Sequence, residues 1–139
     1  MKRRATAVWN GTVMEGSGDL TSQSGTLNNT PYSFKSRFAD GNGTNPEELL
    51  AAAHAGCFTM KLSIVLQEKR FPPQRLETNA VVNLDDNSLS ITESRLTLKA
   101  SVQGISRELF DEAVKDAETN CPISKALNAL ITVDAHLNE

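Results

Sequence analysis

An excess of positive charge is the first thing this 139-residue chain lacks: 14 Lys and Arg stand against 17 Asp and Glu, for a net charge of -3 and a pI near 5.4. A dedicated nucleic-acid binder needs clustered Lys and Arg to meet phosphates, so that class is disfavoured. The one basic cluster, Lys2-Arg3-Arg4, could open a signal peptide, but Ala5 to Gly16 includes Trp9, Asn10, Gly11 and Glu15 and offers no continuous apolar core. Export is therefore not expected, and a cytoplasmic location is. Nor is there an uninterrupted apolar run, because Leu49 to Leu66 contains His54, Gly56, Thr59, Lys61 and Ser63. That stretch reads as a core helix rather than a bilayer span. Cysteine is scarce too: the chain has 2, Cys57 and Cys121. A structural disulfide is not expected in a reducing cytosol, so the two thiols need another explanation, either redox chemistry or inert packing.

What is present fits a single domain over residues 1–139, with 39% hydrophobic and 22% charged residues and no repeat, low-complexity tract or linker. The first 38 residues alternate polar with apolar and carry turn residues at Asn10-Gly11, Gly16-Ser17-Gly18 and Ser24-Gly25, which predicts three antiparallel strands. Asp40 to Thr44 reads as a flexible connection. Asn45-Pro46-Glu47-Glu48 then starts a helix: Asn45 is the N-cap, Pro46 suits the first turn, and Glu48 completes a capping box. Pro72-Pro73 stops this helix by about Lys69 or Arg70.

Two further strands follow, Arg75 to Asn83 and Ser90 to Gln103, joined by a turn at Asp85-Asp86-Asn87-Ser88. Ser106 caps a helix to about Glu118, with Ile105 and Phe110 as a hydrophobic staple, and a short helix runs from Pro122 to about Asn128. Leu130 to Leu137 alternates as a half-buried last strand. The expected class is α+β, with antiparallel sheets around a long central helix in the order β-β-β-α-β-β-α-α-β. That helix is apolar nearly all round, more than one small domain can cover, which predicts a homodimer with the central helices in a joint core.

The thiols can be weighed as chemistry. Cys57 has Ala53, His54, Met60 and Lys61 as helix neighbours, and Cys121 precedes Pro122, where backbone donors gather. Burial raises a thiol pKa, so an active Cys57 needs a fixed cation, and Arg keeps its charge where Lys does not. Arg37 is the candidate, flanked by Phe34 and Phe38 in a strand ending just before the helix. Glu47 could hold its guanidinium bidentately, though a first-turn carboxylate also serves the helix dipole. Glu47 and Cys57 are about 15 Å apart along a helix, so either the Arg37 side chain bridges them or a second subunit completes the site.

The segments TNPEELLAAAHAGCFTM at 44–60, NCPISKAL at 120–127 and PYSFKSRF at 31–38 resemble the osmotically inducible protein C and organic hydroperoxide resistance (OsmC/Ohr) family. His54 in AAHAGCF and the paired Glu47-Glu48 look like the OsmC branch. The resemblance implies an intertwined α+β homodimer and a thiol-dependent peroxidase without cofactor. It also implies that Cys57 is the peroxidatic thiol, Cys121 the resolving thiol, and Arg37 with Glu47 the activating pair. The implied partners are an organic hydroperoxide and a dithiol reductant, which could be a lipoylated protein.

Lowering a thiol pKa from about 8.5 to about 6 raises the thiolate fraction roughly 30-fold but costs roughly 10-fold in nucleophilicity. Arg37 is thus expected to act mainly by orienting the peroxide and stabilising the departing oxygen. Phe38, Phe58, Met60 and Ile123 are expected as apolar walls favouring organic peroxides. Two rivals stand beside this reading. One is a metal site from His54, Cys57, Cys121 and His136. The other is a non-catalytic stress protein that holds a small apolar ligand.

Overall fold

A computed structural model describes residues 1–38 and 43–139, the side chain of Phe38 excepted. The described residues group into two compact units, Met1–Leu49 and Leu50–Glu139.

In the first unit, β1 (Ala5–Asn10), β2 (Ser17–Ser22) and β3 (Thr30–Tyr32) form an antiparallel sheet in that order. The turn expected at Gly16-Ser17-Gly18 lies earlier, because Ser17 and Gly18 already pair in β2. Gly18 is needed there for closeness rather than for a turn. A Cβ on it would stand 2.2 Å from the Val8 carbonyl oxygen, beside the edge-packed rings of Trp9 and Tyr32.

A helix, α1 (Phe34–Phe38), stands where a strand carrying Arg37 was expected, so the order gains an element: β-β-β-α-α-β-β-α-α-β. The alternation read over the first 38 residues suggested extension, but Phe34 and Phe38 lie four apart, as on one helix face, and a reciprocal serine cap decides otherwise. The Ser36 amide donates to Ser33 Oγ (3.1 Å), and the Ser33 amide donates to Ser36 Oγ (2.8 Å). Both amides at the helix entry are thereby satisfied. The connection expected over Asp40 to Thr44 lies largely outside the described residues; Thr44 itself bridges to Tyr32.

The long helix α2 (Pro46–Glu68) starts as expected, with Asn45 Oδ1 accepting from the Glu48 amide at 2.8 Å. Its capping box does not close on the Asn45 backbone. Glu48 Oε1 instead accepts from Thr44 Oγ1 at 3.0 Å. By length and composition α2 would also pass for a membrane span, with a mean hydropathy of 1.6. Its polar side chains are tied into the second unit, which marks it as a core helix: Thr59 Oγ1 donates to Thr78 Oγ1, and His54 meets two serines.

That unit has a three-stranded sheet in the order β4 (Arg75–Asp85), β5 (Ser90–Ser101), β6 (Leu130–Leu137). The β4–β5 pair is antiparallel, but β6 runs parallel to β5, correcting the all-antiparallel expectation. A parallel pair cannot close by a tight turn. The chain returns through α3 (Arg107–Asn120) and α4 (Pro122–Ala126). Ser106 Oγ caps α3 by accepting from the Leu109 amide, and Ile105 and Phe110 are both buried beside it.

Alternation on β5 turns Leu96, Leu98 and Ala100 inward, where they meet Phe58, Leu62 and Leu66 of α2 and Phe110, Ala113 and Ala117 of α3. Truncating a ring such as Phe58, fully buried here, costs about 3 to 5 kcal/mol. On the opposite side of α2, Ala52, Ala53, Gly56, Met60 and Ile64 remain exposed. Met60 and Ile64 keep 69% and 46% of their surface accessible, large values for apolar residues in mid-helix.

Candidate active site

Cys57 and Cys121 are both free, and the second unit brings them near enough for each to perturb the other's titration. Cys57 stands on the fourth turn of α2. Cys121 stands at the joint between α3 and α4, where it ends one helix and caps the next. Its own amide donates to the Ala117 carbonyl, closing α3, while Pro122 begins α4 without needing a donor.

The two sulfurs sit in different fields. Burial pushes the Cys57 thiol up, and its hydrogen bond to Cys121 adds to this, only partly opposed by the Ile123 amide. Burial acts in the same sense on Cys121 but is outweighed by hydrogen bonds from Cys57, from the Ser124 amide and hydroxyl, and from the Ile123 amide. Cys121 is therefore pulled down. The pair titrates as a unit, its first proton leaving a bridge with the thiol on Cys57 and the charge on Cys121. Moving that charge onto Cys57 requires a cation.

In the first unit, Arg37 and Glu47 form an ion pair, with Arg37 Nε 2.9 Å and Nη2 2.7 Å from Glu47 Oε1. Both donors converge on one oxygen, so the two-oxygen fork expected from the sequence is not made. Glu47 is buried, and its Oε2 has no hydrogen-bond partner among the described residues. Arg37 keeps 35% of its side chain exposed. Thus the four expected residues form two pairs, Cys57 with Cys121 and Arg37 with Glu47.

Of the expected apolar walls, Phe58 is in the core with no exposed surface and cannot line a site. The Phe38 side chain lies outside the described residues. Met60 borders an open groove with Ala55, Thr59 and Leu76, not the thiols. Ile123 packs partly buried against the core and offers its amide to both sulfurs.

The metal set is not assembled. His54 is fully buried with both ring nitrogens engaged, Nδ1 at 2.6 Å from Ser94 Oγ and Nε2 at 2.8 Å from Ser124 Oγ. Burial holds its pKa below the usual value and keeps the ring neutral. His136 lies exposed between Asp134 and Glu139, and no cluster of three or more His, Cys, Asp or Glu is placed for a metal among the described residues. The sequence reading missed Ser94 and Ser124. Neither carried a sequence signal, and no side-chain cap bond forms at Cys121 to mark Ser124.

A model of the OsmC-like protein family matches residues 39–136. The chain belongs to this family. It is 42% identical over 137 residues to the protein named Peroxiredoxin OsmC from Escherichia coli K12, covering 97% of this chain and 96% of that one. It is 33% identical over 102 residues to an organic hydroperoxide resistance protein-like chain of Staphylococcus aureus, covering 72% and 73%. Among solved structures, an OsmC-like protein of unknown function from Vibrio cholerae superposes with a TM-score of 0.80 at 17% identity, covering 98% and 99%. The organic hydroperoxide resistance protein OhrB of Bacillus subtilis superposes at 0.66 and 27% identity, covering 96% and 98%. The α+β architecture of this OsmC-like chain is thus that of its family.

Proposed function

We propose that this OsmC-like chain is a thiol-dependent peroxidase that reduces organic hydroperoxides, and hydrogen peroxide less efficiently, in oxidative and osmotic stress defence. The observation that carries this reading is the nearness of Cys57 to Cys121. The Cys57 thiolate attacks the distal oxygen of ROOH; the O–O bond breaks, the alkoxide leaves as ROH after taking a proton, and Cys57 becomes a sulfenic acid. The Cys121 thiolate then attacks that sulfur, so an S–S bond replaces the S–O bond and hydroxide departs as water. A dithiol, small or carried on a lipoylated protein, reduces the disulfide by exchange and is itself oxidised.

The relatives' names, peroxiredoxin and organic hydroperoxide resistance protein-like, support the activity. Arg37, preset by Glu47, supplies the cation that shifts charge onto Cys57 and then stabilises the departing oxygen. Glu47 and Cys57 are ten residues apart, about 15 Å along a helix, so either the Arg37 side chain or a second copy of the chain completes each site. The exposed stripe of Ala53, Gly56, Met60 and Ile64 supports such a homodimer. Two free thiols that must be re-reduced each cycle suit the cytoplasm.

The test is consumption of cumene hydroperoxide and hydrogen peroxide with dihydrolipoamide by the wild type, Cys57→Ser and Cys121→Ser. Turnover lost in Cys57→Ser, with a higher kcat/KM for the organic peroxide, is the expected result. Turnover retained without Cys57 would overturn the reading.

A further inference from the structure

His54 and Cys57 lie one turn apart on α2, and Cys121 and Ser124 lie one turn apart at the start of α4. The two pairs face each other as a ladder with two rungs. Cys57 neighbours Cys121, and His54 Nε2 is 2.8 Å from Ser124 Oγ. The rungs share Ser124, which follows Cys121 by three residues at the start of α4 and helps hold its thiol down. Behind the second rung, Ser94 on β5 holds His54 Nδ1 at 2.6 Å. All three members of this chain are buried, His54 and Ser94 completely.

A neutral imidazole donates from one nitrogen and accepts at the other. In the tautomer with Ser94 donating to Nδ1, Nε2 carries the proton and donates to Ser124 Oγ, which leaves the Ser124 hydroxyl proton free to turn toward Cys121. A histidine needed only to fill the core requires no such alignment, since an apolar ring of similar size avoids burying polar atoms.

We propose that His54, anchored by Ser94, is a positioning residue for the second chemical step: it aims the Ser124 hydroxyl at Cys121 and so sets the rate at which the disulfide forms. The inference rests on Cys121 being the resolving thiol. In that step Cys121 sulfur bonds to Cys57 sulfur as the S–O bond of the sulfenic acid breaks. The hydroxide leaves as water with the proton that Cys121 had carried. Ser124 holds the Cys121 thiolate in line until the S–O bond gives way. The peroxide attack at Cys57 precedes this and feels the chain only through the proton that the two thiols share.

The two steps separate in a stopped-flow single turnover with cumene hydroperoxide, in which sulfenic acid formation depends on peroxide concentration and its decay does not. In Ser124→Ala, Ser94→Ala and His54→Gln the first step should not slow, because a less stabilised Cys121 thiolate leaves more of the shared charge on Cys57, while sulfenic acid decay slows roughly 10- to 100-fold, as expected for a lost hydrogen bond to a charged group. Ser124→Thr, which keeps the hydroxyl, should restore the rate. Independently of turnover, the Cys121 pKa in a Cys57→Ser background should rise by about one pH unit when Ser124→Ala is added. A purely structural His54 would lower Tm and leave both the decay rate and the Cys121 pKa unchanged, and that result overturns the proposal. Should His54→Gln not fold, Ser124→Ala and Ser94→Ala decide between the same two outcomes. If Cys121 is not the resolving thiol, the pKa change persists while decay in Cys121→Ser matches wild type, which separates the two failures.

Discussion

Two nitrogens of Arg37 converge on a single oxygen of Glu47, at 2.9 and 2.7 Å, while the other Glu47 oxygen is buried without a hydrogen-bond partner among the described residues. Nε and Nη2 lie on one edge of the guanidinium, so this geometry fixes the plane of the group as well as its charge. A Lys at position 37 would keep the charge and lose the plane. Arg37→Lys is therefore expected to lose most activity, with kcat/KM for cumene hydroperoxide falling at least about 10-fold and toward 100-fold. Near-normal turnover would show that charge alone suffices.

Cys121→Ser should still complete the first half-reaction, giving one equivalent of alcohol per Cys57. Without a resolving thiol the sulfenic acid persists and a second peroxide carries it to the sulfinic acid. Mass spectrometry after excess peroxide should find two added oxygens on Cys57 in Cys121→Ser and a disulfide in the wild type. A wild type that accumulates sulfinic acid as readily as the variant would argue against resolution by Cys121.

The exposed stripe on α2 predicts self-association. Ile64→Glu, or Met60→Glu, places a charge on the face proposed to meet a second copy, and a charge buried there without a partner opposes assembly. Sedimentation equilibrium should give a dimer for the wild type and a shift toward monomer for either variant. Peroxidase activity should fall with it if each site draws on both copies. An unchanged mass would mean that the stripe faces water.

The two histidines titrate in opposite senses. Burial lowers the His54 pKa below 6.5, so as pH falls below that value the unfolded chain takes up the proton first and stability declines toward the folded-state pKa. His136 is raised by Asp134 first and Glu139 second, so its contribution is present in acid and is lost as pH rises through its folded pKa. Its side chain is more than a third exposed, so the contribution is screened and small. Tm is thus expected to drop between pH 7.5 and 5.5, and the drop should shrink in His54→Gln but not in His136→Asn. NMR titration of the two imidazoles checks the same signs directly.

Capping chemistry and alternation made most elements legible in the sequence. Asn45-Pro46 and Ser106 start α2 and α3 where read, and Leu130–Leu137 is a strand with the bounds expected. Alternation is silent on direction, however, and β6 runs parallel to its neighbour because the returning chain passes through α3 and α4. The helix at Arg37 was hidden because the alternation of the preceding strands was carried through to residue 38, although Phe34 and Phe38 are four apart and the Ser33–Ser36 cap starts a helix. The cysteines were singled out by their scarcity, and their pairing came from family resemblance. Ser94 and Ser124 were not legible, since hydroxyls are common and His54 finds them 40 and 70 residues away.

The distance along the chain between the two thiols gives the catalytic cycle a mechanical side. A bond from Cys57 to Cys121 would close a loop of about 65 residues holding β4, β5 and α3, and in the chain-entropy view such a closure opposes unfolding by about 4 kcal/mol. The spent, oxidised form is then the sturdier one, and reduction, in regenerating the thiols, also loosens the fold. Its melting temperature, read with and without dithiol, should rise by several degrees on oxidation. In a cell under peroxide stress, the molecules waiting for reductant would be those best protected from proteolysis.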